Sequence, residues 1–109
     1  MNALVITPKG KQLLGKLLKE SRESLGLSLD GLVLRVKEQT GRTPSKSTIS
    51  GLERGNAKPE WDTLSILAAT RYIVNKETGL PYATAELFEI ACQSSTDQKT
   101  SFRSESKAA

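Results

Sequence analysis

The side chains best placed to do chemistry in this 109-residue chain fall in one stretch, Ser45-Lys46-Ser47-Thr48-Ile49-Ser50-Gly51-Leu52-Glu53-Arg54-Gly55. Its first half carries four hydroxyls and one ammonium group, with Ile49 the sole large apolar residue among them. Such groups offer hydrogen bonds to a partner. A lysine at the start of a helix can donate to guanine O6 and N7, and small hydroxyl residues can reach base edges in the major groove. Just beyond, Arg54, Asn56 and Lys58 form a polar, basic cluster.

The rest of the composition narrows the options. There is no histidine, so the commonest general base and the commonest metal ligand are both missing. Cys92 is the single cysteine, so neither an internal disulfide nor a structural zinc site is expected. The carboxylates are scattered, and no Gly-rich phosphate loop or nucleophile elbow is present. An enzyme is therefore the least supported class, and no cofactor or metal is expected. No apolar run approaches the ~18 residues of a membrane span, and residues 1–11 lack the apolar core of a secretory leader. The expected location is the cytoplasm, in reach of the nucleoid.

Charge is unevenly distributed. Residues 1–59 hold eleven Lys/Arg against five Asp/Glu, a net of +6, and residues 60–109 hold five against seven, a net of −2. A localised basic excess attracts phosphate backbones through counterion release, and the polar stretch lies inside the basic half.

The elements that must position this stretch read as helices throughout, with no period-2 strand. Helix 1 is expected over 8–25, with Thr7 as N-cap, Pro8 at the first position, an apolar face of Leu14, Leu17, Leu18, Ser21 and Leu25, and Gly26 as stop. Helix 2 follows Ser28, carries Leu29, Leu32, Val33 and Val36, and ends at Gly41. Helix 3 has Ser45 as N-cap and Gly55 as stop, anchored only by Ile49 and Leu52. Helix 4 is expected from 59 or 60 to 73 or 74, with Trp61, Leu64, Leu67, Ala68 and Tyr72 inward. Helix 5 is expected over 83–92. The organisation is an N-terminal arm (1–7), one all-α domain (8–92) and a flexible polar tail (93–109) whose single large apolar residue is Phe102.

Two short helices joined by a turn, the second thinly apolar and polar outside, suggest a helix-turn-helix. Ser45, Thr48, Ile49, Ser50, Glu53, Gly55 and Pro59, continued by Thr63, Leu64, Leu67 and Ala68 and preceded by Leu27, Ser28 and Leu32, resemble the phage repressor and Cro (XRE) family of helix-turn-helix domains. The resemblance covers about residues 13–73. It implies a compact five-helix, lambda-repressor-like fold, with an extended turn between helices 2 and 3. Three departures from the family pattern stand out. Val33 and Ile49 are separated by about six more residues than the family's spacing, which places extra length in helix 2 and in residues 37–44. Leu29 replaces a frequent phosphate-binding Gln. Gly51 stands where a long base reader is common.

The resemblance also implies roles. Lys46, Ser47 and Ser50 match base-contacting positions; Thr48, Arg54, Asn56, Lys58 and Arg22 match or flank backbone contacts. Arg42, in the extra basic residues that depart from the family pattern, is expected to reach the backbone as well. Arg22 and Glu53 match an ion pair that orients helix 3. The implied function is a sequence-specific, repressor-like transcription regulator that binds double-stranded DNA. Its homodimer would form around helix 5, near Leu80, Tyr82, Phe88 and Ile90. The alternative is an antitoxin or adaptor that uses the same fold to bind a protein partner.

Overall fold

A computed structural model describes residues 5–93 of the chain; residues 1–4 of the expected arm and 94–109 of the expected tail, Phe102 included, lie outside the described residues. Five helices follow one another: α1 (Pro8–Ser24), α2 (Leu29–Thr40), α3 (Lys46–Glu53), α4 (Trp61–Ala69) and α5 (Thr84–Ala91). Among the described residues there is no strand beyond one isolated antiparallel bridge, Val74 with Pro81.

Local chemistry sets the first three boundaries. The Thr7 side chain accepts from the Gly10 N–H at 2.8 Å, with Pro8 beginning the helix. Ser28 caps α2 through the Gly31 N–H at 3.0 Å, and Ser45 caps α3 through the Thr48 N–H at 3.0 Å. Gly26, Gly41 and Gly55 follow α1, α2 and α3 with positive φ of 70°, 76° and 74°, a conformation only glycine adopts at little cost.

The fourth helix ends earlier than its apolar pattern suggests. It stops at Ala69, where the Thr70 hydroxyl donates back to the Leu67 carbonyl at 2.6 Å. Arg71 then turns left-handed at φ 59°. Tyr72 and Ile73 enter the core from an extended segment, and residues 73–82 fold back as a small hairpin through Tyr82 N–H to Ile73 O (2.8 Å) and Asn75 N–H to Leu80 O (2.9 Å). Trp61 is also corrected: it is half exposed at the start of α4, its ring edge-on to Phe88 at 5.9 Å.

The core is aliphatic: Leu14 and Leu18 of α1, Leu32 and Val36 of α2, Ile49 and Leu52 of α3, Leu64 and Leu67 of α4 and Leu87 of α5, with Tyr72 and Ile73 between α4 and α5. Helix α1 packs on α3 and α5, α4 on α5 and α2, and α2 on α3. Two glycines let α1 reach its neighbours. A Cβ at Gly10 would sit 2.1 Å from the Ala91 carbonyl oxygen, and one at Gly15 would sit 2.5 Å from those of Leu52 and Glu53. The last turns of α5 and α3 thus rest directly on α1 backbone.

The extra length between Val33 and Ile49 is carried mostly by helix. Lys37 to Thr40 continue α2, and the connection to α3 is only residues 41–45. The turn is short where the sequence suggested an extended one. Thr40 closes α2 by donating to the Val36 carbonyl (2.7 Å) and accepting from the Arg42 N–H (3.1 Å).

Candidate nucleic-acid interface

The short helix α3 has a buried back and an open front. Ile49, Gly51 and Leu52 are buried, while Lys46 and Ser47 are exposed and Thr48 and Ser50 half-buried. The cap ties the open end together: the Ser45 hydroxyl donates to Thr48 Oγ1 at 2.7 Å and lies 3.2 Å from Ser47 Oγ. Thr48 keeps its own hydroxyl hydrogen for an outside acceptor.

Lys46 is not free. Its Nζ lies 3.3 Å from both carboxylate oxygens of Asp30, near the start of α2. Sequence reading missed this partner because the two residues are sixteen positions apart on different helices.

Behind α3 stands a largely buried fork. Arg22 Nε donates to Glu53 Oε2 at 2.8 Å, Nη2 donates to Oε1 at 2.9 Å, and Nη1 donates to the Leu27 carbonyl at 2.7 Å. Their side chains keep only 11% and 5% of their accessible surface. The bond from Glu53 raises the Arg22 pKa further above its ordinary value, against desolvation. The guanidinium is thus charged at every accessible pH. Its three contacts occupy the edge that was expected to face a phosphate, so Arg22 serves first to hold α3 and the residues after α1 in place.

Tyr72, expected inward from the sequence, sits beside this fork, a neighbourhood that the sequence did not reveal. It is buried, and its hydroxyl has no hydrogen-bond partner among the described residues. Burial, with the Glu53 charge second, pushes its pKa far up, and Arg22 opposes the shift. The available signal was a lone tyrosine in an apolar run, which does not reveal a neighbour fifty residues earlier.

Gly51 has a different reason from the one the family pattern suggests. A Cβ there would lie 3.0 Å from the Ala57 Cβ, and the Asn56 and Ala57 N–H groups donate to the Gly51 carbonyl at 2.9 and 3.1 Å. The position faces the following turn, not solvent, so a long reader could not project from it without displacing that turn. The turn itself leaves Arg54, Asn56 and Lys58 exposed next to the helix end. Leu29, in place of the expected Gln, is half-buried against the core.

Arg42 is set apart. It is exposed and lines a cleft of about 290 Å³ with Thr40, Asp62, Ser65, Ile66 and Ala69, to which no residue of α3 contributes. The expected dimer residues also divide: Leu80 is 65% exposed, whereas Tyr82, Phe88 and Ile90 are partly buried against the core. No group of His, Cys, Asp and Glu that could hold a metal occurs among the described residues. No helix of the described residues is long and apolar enough to cross a membrane. In comparisons with known proteins, no family model, no curated protein and no solved structure matches the chain.

Proposed function

We propose that the chain is a sequence-specific DNA-binding protein that places α3 in the major groove, on a lambda-repressor-like helix-turn-helix formed by α2 and α3. The observation that carries this reading is the two-sidedness of α3. Its back is fastened by Ile49, Leu52 and the Arg22–Glu53 fork, its front offers Lys46, Ser47 and half-buried Ser50, and a basic turn follows at once. A recognition helix needs that combination: base-reading groups at its start and phosphate-binding groups beside it.

In this arrangement Lys46, Ser47 and Ser50 meet bases, while Thr48, Arg54, Asn56 and Lys58 meet the backbone. Arg42 adds a backbone contact from the preceding turn only if the duplex extends over that cleft. The function is repressor-like regulation of transcription in the cytoplasm, by a homodimer that joins around Leu80 and Tyr82 and reads half-sites about 34 Å apart. The test is to select bound duplexes from a random pool and then to measure variants on the best of them. Lys46→Ala is expected to relax base preference, whereas Arg54→Ala or Lys58→Ala should weaken all duplexes alike and flatten the salt dependence. Recovery of no enriched duplex would sink the reading.

One observation favours a second reading, an antitoxin or adaptor that binds protein. Leu34 on α2 is 56% exposed beside a groove lined by Leu27, Gly31, Arg35, Glu38 and Gln39. Binding that ignores salt and survives Lys46→Ala would support it.

A further inference from the structure

An acidic side chain stands at the front of α3, where a DNA-reading surface has least use for one. Asp30 is exposed, and it holds the Lys46 ammonium at 3.3 Å through both carboxylate oxygens. The two side chains keep 77% and 56% of their accessible surface. An exposed pair of this kind contributes little to folding, and α2 already has the Ser28 cap at its start. Asp30 also lies in the first turn of α2, where a carboxylate suits the helix dipole, but that role does not require Lys46.

Its effect on binding is more specific. Non-specific attraction to DNA is the sum of lysine and arginine contacts to phosphates. A lysine paired to a carboxylate is withdrawn from that sum, and the carboxylate itself repels the backbone. The ammonium nevertheless has three hydrogens. With the carboxylate accepting from one side, the remaining hydrogens can still reach a base acceptor at the groove floor. While the pair is formed the ammonium can still read a base, but it must break the pair to meet a phosphate, so each phosphate contact is weakened by that cost.

Building on the DNA-binding reading above, we propose that Asp30 is a specificity-determining residue, which holds Lys46 toward the bases and away from the phosphates. The Asp30–Lys46 pair is the discriminating unit, and Lys46 alone is only half of it.

The experiment compares full-length chain and Asp30→Asn on two labelled duplexes, the best one selected from a random pool and a scrambled version of it, over a series of salt concentrations. Asp30→Asn is expected to bind the scrambled duplex about threefold to tenfold more tightly, with a salt slope steeper by about one, because one more cation is free to meet a phosphate. The selected duplex should gain less, so the ratio between the two falls. In a Lys46→Gln background the same substitution should leave that ratio unchanged. Equal tightening on both duplexes, or a fall in the ratio that persists without Lys46, would overturn the inference while leaving the DNA reading intact. An unaltered chain that binds neither duplex would remove both.

Discussion

Helix α3 is held from two sides by contacts of opposite character. On the α1 side, backbone lies on backbone at Gly15, and the Arg22–Glu53 fork is nearly closed to solvent. On the α2 side, the polar link is one exposed lysine–aspartate pair across a five-residue connection. The first contact is tightly packed and nearly dry, whereas the second can break and re-form within thermal energies. In the proposed DNA-binding reading, orientation and recognition are thus assigned to different neighbours: α1 fixes where the helix lies, and α2 meets its front.

Four substitutions would break or sharpen that contrast, and urea unfolding measures each. Glu53→Ala should be the most damaging, at about 3 kcal/mol, because it leaves the Arg22 charge buried without its partner. Gly15→Ala should follow at about 2 kcal/mol. Alanine gains about 1 kcal/mol of helix propensity, but its Cβ meets the Leu52 and Glu53 carbonyls and pushes α3 away. A stabilised Gly15→Ala would show that the α1 contact is loose after all.

Tyr72→Phe should have the opposite sign and gain about 1 kcal/mol near neutral pH, because it removes a buried hydroxyl without a partner. A loss would mean that this hydroxyl is joined to the Glu53 carboxylate and belongs to the fork. The same residue gives a pH dependence. Its folded-state pKa is raised, so the unfolded chain ionises first, near the usual tyrosine value of about 10. Its contribution is fully present below that pH and is lost as pH rises beyond it. Tyr72→Phe should flatten this alkaline limb. Smallest of the four is Lys46→Ala, which should change stability by less than about 0.5 kcal/mol. A large loss there would make the front contact structural.

The same division explains what the sequence could show. Local chemistry was readable: Thr7 with Pro8, Ser28, Ser45, and the glycines at 26, 41 and 55 announce the first three helices through caps and stops. The Arg22–Glu53 contact was legible only through a resemblance, since thirty-one residues separate the two. The end of α4 was not legible, because Ile73 and Val74 extend its apolar pattern and no glycine marks the stop; Arg71 takes the left-handed conformation itself. Trp61 was assigned inward from its type and spacing, but it falls at the first residue of α4, where the helix has not yet passed beneath its neighbours. Gly10 and Gly15 carried a signal that could have been used. Two glycines inside one helix lower its propensity, and close packing against other backbone is the usual compensation.

Among the described residues, the backbone nearly completes a circuit. The Thr7 N–H donates to the Ala91 carbonyl at 3.0 Å, and the Thr7 side chain bonds the Gln93 carbonyl, so the first and last described segments lie side by side on the α1–α5 seam. A fold whose first and last described segments meet can be cut elsewhere and rejoined there. A circular permutant opened at Gly79 in the exposed hairpin and closed by a short linker between 7 and 93 should retain every contact that α3 makes. It would also move both free ends to the hairpin beside Leu80.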